Sequence, residues 1–345
     1  MNTEVRIYNP ELELQGVVDE FSNLVWLRRY QTPGEFMIRT PYASESKRLF
    51  TPENLVQRYD GGDVVDAGVV ENIEMNADEI IIKGRFLESY LERRLIKDTT
   101  YYTGNTEDNL RSIISNMVAI PLLNLGADKG LTETLEFQAT YKTVLSIVSK
   151  ACRATGLGFR IRPDFSGRHL YFEVYKGADR TASTSAKVIF SEKYDNLLKE
   201  TYTYDSTAYR TKAFASQLID DVRTTYAVGG GTGLGLREVF VATNVDVNNR
   251  TAAEIKASME RQGQRALEAR TISEAFTFST DAESPFLYRT DYDIGDLVHV
   301  KHIAWGIDLQ LRIAEIEEDH QSGGRDLYLT CGSPLPEIMD FEGEG

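Results

Sequence analysis

Hydrophobic and polar side chains alternate with period two through much of the first hundred residues. Trp26, Arg28 and Tyr30 fall on one parity, as do Phe36, Ile38 and Thr40, and the turn pair Pro33-Gly34 separates the two runs. Successive side chains of a strand point to opposite faces, so this stretch predicts a hairpin with two unlike faces. Further strands are expected over 4–9, 12–19, 55–59, 64–74 and 79–85, punctuated by Asp60-Gly61-Gly62 and Asn76-Ala77-Asp78. Many short strands at this spacing predict a small barrel or sandwich over 1–96.

Past about residue 97 the period lengthens. Leu110, Ile113, Ile114 and Met117 stand at i, i+3, i+4 and i+7, and so do Val144, Ile147, Val148 and Ala151. Two helices follow from this spacing, the second ending near Gly156. Phe159 and Ile161 then alternate with Arg160 and Arg162, a turn covers 163–167, and Leu170, Phe172 and Val174 alternate in their turn. Residues 97–200 therefore read as an α+β region.

Strands return over 201–336, interrupted by one helix. Thr251 and Glu254 have capping-box spacing, so a helix should run from there to about Arg270, within an insertion spanning 248–271. Residues 337–345, with Asp340, Glu342 and Glu344, read as an acidic tail.

One internal likeness stands out. Val69-Val70-Glu71-Asn72-Ile73-Glu74 leads through a polar turn to Ile80-Ile81-Ile82-Lys83-Gly84-Arg85. Arg312-Ile313-Ala314-Glu315-Ile316-Glu317 leads through Gln321-Ser322-Gly323-Gly324 to Leu327-Tyr328-Leu329-Thr330-Cys331-Gly332. Two hairpins of this kind suggest two similar β modules. The expected class is mainly β with α+β: two tube-like β-barrels at 1–96 and 201–336 around a middle α+β domain.

Composition adds limits. The 345 residues carry 53 acidic and 38 basic side chains, a net charge of -15, which disfavours tight nucleic-acid binding because displacing counterions needs a basic surface. Cys152 and Cys331 are too few for a disulfide framework or a zinc site and are expected as buried thiols. The chain lacks a run of about 18 apolar residues and a secretory leader pattern, so a soluble protein made in the cytoplasm is expected.

Candidate chemistry is sparse. The glycine-rich 229–235 run lacks the Lys-Ser/Thr of a phosphate loop and reads as a connector. His299 and His302 are three apart, which on a strand sends their rings to opposite faces and denies them a shared metal. His169 and His320 beside turns read as solvated. Ser44-Glu45-Ser46-Lys47 has the spacing of an acyl-enzyme nucleophile without its companion motifs. Tyr202 and Tyr204 read as packing a barrel wall. No catalytic, cofactor or metal residues are assigned.

Several separated segments resemble the siphophage tail-tip hub family, the baseplate-hub-like region found at the start of tail-associated lysins. They are the opening hairpin with Trp26, Arg28, Gly34, Glu35 and Phe36; the 174–181 stretch with Gly177, Asp179, Arg180 and Thr181; the 188–197 stretch; and Ile294-Gly295-Asp296-Leu297-Val298 with Arg312-Ile313 and the closing 329–332. The resemblance implies a homotrimer at the virion tail tip. Each subunit would give two tube-like barrels, so that three subunits match a hexameric tube. The implied partners are a distal tail protein, the tail tube, a tape-measure protein and passing DNA held without specific binding, with no membrane segment. Longer relatives continue into a cell-wall domain that does not follow Gly332 here, so no enzymatic role is expected. The competing readings are a wall-degrading tail enzyme acting through two carboxylates and a binder of host-surface carbohydrate.

Overall fold

Alternation sorts the opening hairpin as expected. In a computed structural model, which describes residues 3–59, 66–117, 119–181, 186–248, 250–280, 284–321 and 324–333, Trp26, Arg28, Tyr30, Phe36, Ile38 and Thr40 are all buried. The 60–62 turn, Ser322-Gly323 and the 337–345 tail lie outside the described residues.

The chain divides into two units. The first comprises Met1–Thr201 and Thr277–Cys331. Its strands include β1 (Glu4–Tyr8), β2 (Leu14–Val18), β3 (Asn23–Arg29), β4 (Glu35–Pro41), β5 (Leu55–Tyr59), β6 (Gly68–Met75) and β7 (Glu79–Phe86). With Ile307–Gln321 and Gly324–Gly332 these form one sheet, in the order Gly324–Gly332, Ile307–Gln321, β3, β4, β7, β6, β5, β1, β2. Every pairing along that path is antiparallel.

The two look-alike hairpins share a backbone detail. Val70 pairs with Gly84 and Asn72 with Lys83, leaving Glu71 as a bulge. Ile313 pairs with Cys331 and Glu315 with Thr330, leaving Ala314 as a bulge at the corresponding place. An inserted residue bends its strand and strengthens the local twist, so both hairpins are bent at the same point.

The helical period also holds. Leu110, Ile113 and Ile114 of the helix Thr106–Met117 are buried, as are Val144, Ile147, Val148 and Ala151 of Val144–Thr155. The side chain of Met117 lies outside the described set. Gly156 ends the second helix with φ +69°, the left-handed conformation glycine adopts cheaply. The strands Gly158–Asp164 and His169–Tyr175 form the expected hairpin, and their inward residues join both helices in one core. Cys152 and Cys331 are free and buried.

The second unit comprises Tyr202–Phe276 and the chain from Gly332 on. Its sheet has the order Val222–Gly229, Lys212–Ile219, Glu238–Ala242, the last parallel to the middle strand. A helix, Ala252–Glu268, covers one face and carries the full capping box of Thr251 and Glu254. Gly263 permits its close approach, because a Cβ there would stand 2.7 Å from Val228 Cγ2. Tyr204 is 54% exposed rather than packed in a wall.

The architecture is mainly β with α+β, and among the described residues no helix is long and apolar enough to cross a membrane.

Candidate functional site

Two motifs that lie far apart in sequence meet in the first unit. Gly177 packs so tightly on Gly295 that an added Cβ would stand 1.8 Å from the Gly295 carbonyl oxygen. Asp296, 5% exposed, accepts the Ala178 N–H at 2.7 Å and Arg180 Nε at 3.2 Å. Main-chain bonds run both ways, from Arg180 N to Leu297 O and from Leu297 N to Ala178 O. Asp179 caps its own turn by accepting from both the N–H and the hydroxyl of Thr181.

Tyr30 ties this junction to the opening hairpin. Its hydroxyl donates toward the Gly156 and Tyr175 carbonyls and accepts from Gly177 N–H, at 3.2 to 3.3 Å. Its ring fills the space that a side chain at Gly158 or Gly295 would need. Arg28 lies on the same hairpin face, with Nε 2.6 Å from Asp66 and Nη1 2.8 Å from the Tyr288 hydroxyl and 2.5 Å from Asp293. Gly34, Glu35 and Phe36 serve the turn and the sheet. Gly34 O accepts from Phe86 N, Glu35 pairs with Arg29 at 2.6 Å, and the Phe36 ring lies over Gly68 and Gly84.

A buried ionic cluster escaped the sequence reading. Glu318 is fully buried and pairs with Arg58, whose side chain is 2% exposed, while Arg325 and Arg289 approach at 3.3 and 3.8 Å. Burial alone would raise the Glu318 pKa. Contact with His320 and the charges of Arg58 and Arg289 outweigh that and hold the carboxyl well below the usual carboxylate range. His320, expected in solvent, instead sits against this cluster, with its side chain 12% exposed and 3.3 Å from Arg58 Nη1. The available signal was parity, since Ile316 points inward and Glu318 follows it by two.

Glu88 is a second buried carboxyl. One oxygen accepts Ile161 N–H at 2.9 Å, and burial pushes its pKa up to about 7.

The outward face of the sheet differs in kind. Val25, Leu27 and Met37 floor a shallow groove of about 350 Å³, rimmed by Glu35, Glu71, Lys83, Arg85 and Glu317. Glu74, Glu79, Glu315 and Asp319 add to its carboxylates, which outnumber the cations Arg29, Arg39, Lys83 and Arg85. All four cations are paired, Arg29 with Glu35 and Glu315, Arg39 with Glu79, Lys83 with Glu74 and Arg85 with Glu71.

The remaining candidates stay apart. His299 bonds Asp308, whereas His302, on the opposite strand face, meets Glu192 and Glu200 at 3.3 Å. Ser44 to Lys47 lie on an exposed helical turn, and the glycine-rich run connects two strands of the second unit. Among the described residues no group of three His, Cys, Asp or Glu side chains is placed to hold a metal ion. The contacts of Tyr30, Gly177 and Asp296 fix backbone and close a seam between strands.

Solved structures of similar fold carry tail-protein names. A tail protein from Neisseria meningitidis MC58 superposes with a TM-score of 0.61 at 13% identity, covering 98% of each chain. The 43 kDa tail protein of prophage MuSo2 from Shewanella oneidensis gives 0.60 at 15%, covering 98% of this chain and 100% of that one. Prophage tail protein gp18 from Listeria monocytogenes EGD-e gives 0.56 at 12%, with 97% and 96% covered. At these identities the likeness establishes the fold. No curated protein matches. The family model described as Siphovirus ReqiPepy6 Gp37-like protein matches residues 4–333, nearly the whole chain, and the protein belongs to that siphovirus tail-protein family.

Proposed function

We infer that the chain is a structural hub at the tail tip, three copies of which form a ring that adapts a hexameric tail tube to threefold symmetry and leaves a channel for DNA or a tape-measure protein. The observation that carries this reading is the pair of hairpins, bulged at corresponding residues and joined through β3 and β4 in one antiparallel sheet. A sixfold tube docks on a trimer only if each subunit presents two similar faces. In this reading 1–96 supplies the first tube-like barrel, 97–200 the α+β domain, and 201–336 the second barrel with its 248–271 insertion.

Trp26, Arg28, Gly34, Glu35, Phe36, Gly177, Asp179, Arg180, Thr181, Gly295 and Asp296 act as a structural signature. Their contacts hold the opening hairpin and the 177–181 and 295–296 turns in place. The acidic outer face of the shared sheet lines the channel, where like charge keeps phosphates from sticking. Screening over about 8 Å at physiological salt confines the effect to a narrow bore.

No hydrolytic chemistry is assigned to the chain, and its partners are the tail tube, a distal tail protein and the tape-measure protein. Particle images of assembled tails test the reading. A threefold ring at the tip with the outer sheet face toward the axis is expected, whereas a dimer in the tail, or zymogram activity abolished by one carboxylate substitution, overturns it.

A further inference from the structure

The α+β region carries a two-stranded ribbon whose two faces differ. Its strands Thr100–Tyr102 and Phe137–Ala139 pair antiparallel, Tyr102 opposite Phe137 and Tyr101 opposite Gln138. The same register continues to the bridge between Asn105 and Thr134. Tyr102 and Ala139 point into the core, 7% and 1% exposed, and Phe137 stacks on Tyr102 at 4.9 Å. Side chains alternate along a strand, so the other parity turns outward. Its cross-strand rungs are Thr99 with Thr140, Tyr101 with Gln138 and Thr103 with Glu136, and Tyr101 is 61% exposed. Rungs about 7 Å apart give three of them a span of about 14 Å.

We propose that this outward face is a binding site for a neutral oligosaccharide. Tyr101 stands on the middle rung and is the one ring of the three, a flat apolar platform for the C–H face of a sugar. Around it stand hydroxyls and a primary amide, groups that both donate and accept, as the hydroxyls of a sugar require. Their orientation is already set. Gln138 Nε2 lies 3.5 Å from Thr140 Oγ1, which donates to Thr99 Oγ1 at 3.0 Å. That chain leaves the Gln138 amide oxygen and the Tyr101 hydroxyl without a partner among the described residues. Other classes of ligand match this face poorly. Nucleic acid needs cations to displace counterions, and the three rungs carry none. The centre of a protein interface is largely apolar, whereas Tyr101 is ringed by hydroxyl, amide and carboxylate groups. Glu136 also sets a sign, because its charge repels sialylated, sulfated or phosphorylated glycans.

The inference concerns one ribbon of the first unit and is independent of the hub reading, which particle images test separately. An array of neutral and acidic oligosaccharides, probed with the full-length chain, should retain it on neutral glycans in preference to sialylated, sulfated or phosphorylated ones. Calorimetric titration with the best neutral glycan then reads the site. Tyr101→Ala should weaken binding about tenfold or more, and Gln138→Ala should weaken it too. Tyr101→Phe keeps the ring and should keep most of the affinity. Tyr204→Ala, at an exposed tyrosine of the second unit, should leave it unchanged. Because Tyr101 and Gln138 are exposed, none of these variants should shift the thermal melt by more than the small amount expected of surface positions. An array without a neutral-glycan signal, a preference for acidic glycans, or equal affinity in the wild type and Tyr101→Ala overturns the proposal.

Discussion

The two bulged hairpins have the same frame and opposite fillings. Met75 and Glu318 stand at corresponding places, four residues after Glu71 and Ala314. Met75 is 51% exposed whereas Glu318 is fully buried, so the apolar residue faces water and the charged one does not. Backbone pairing and the bulge set the bend, but the strands packed alongside decide what each position meets. Glu318 is inside because Arg58 and Arg289 converge on it from elsewhere in the first unit and Arg325 reaches it from the paired strand.

The sharpest way to break this contrast is Glu318→Ala. Removing one partner of a buried pair leaves an uncompensated charge at Arg58, for which about 3–5 kcal/mol of destabilisation is expected. Met75→Ala at the matching place should cost under about 0.5 kcal/mol, as exposed positions do. Urea unfolding midpoints compare the two, and similar losses would show that the fillings are equivalent after all.

The second test sets Glu318 against Glu88, a carboxyl buried without such a crowd of cations. A folded pKa raised from 4.5 to about 7 gives Glu88 a contribution that is full below pH 4.5 and lost as pH rises through 7. It amounts to about 3 kcal/mol at most. Glu318 has the opposite sign: its depressed pKa contributes above pH 4.5 and fails in acid. Glu88→Gln should therefore flatten the loss of stability between pH 5 and 7 and leave acid unfolding in place. An unchanged slope would refute the assignment.

Gly84 and Cys331 are a third matched pair. A Cβ at Gly84 would lie 1.8 Å from Val69 O and 2.8 Å from Phe36, so Gly84→Ala should cost about 1–3 kcal/mol by thermal melting. Cys331 already carries a side chain, and Cys331→Ala should cost no more than about 1.5 kcal/mol. A last, modest effect belongs outside both hairpins. Thr251→Ala removes one half of the capping box and should lower stability by about 1 kcal/mol, read as faster amide exchange at the start of Ala252–Glu268.

Local periodicity made the elements legible. Trp26, Arg28 and Tyr30 could be placed inside from parity alone, and Thr251 with Glu254 marked a helix start from spacing. The likeness of 69–85 to 312–332 was likewise visible, although its shared bulge was not, because a bulge adds one residue that period two cannot distinguish from a register choice. Glu318 was hidden for another reason. In Glu315 to Asp319 four of five residues are acidic, which reads as a solvated edge, and only the arrival of Arg58 from far along the chain, with Arg325 from the paired strand, reverses that. The meeting of Gly177 with Gly295 was equally out of reach, since both segments could be named but neither carries a sign of its partner.

The pairing of β3 with Ile307–Gln321 bears on how the molecule is made. Arg28 lies opposite Ile316 and Trp26 opposite Glu318, partners nearly three hundred positions apart. During synthesis one edge of β3 must wait, unpaired, until almost the entire chain has left the ribosome. Long-range closure of this kind slows folding, and an open strand edge invites pairing with a neighbouring nascent chain. The central strand pair is thus a late event, and the sheet is completed only once its last strands have been synthesised.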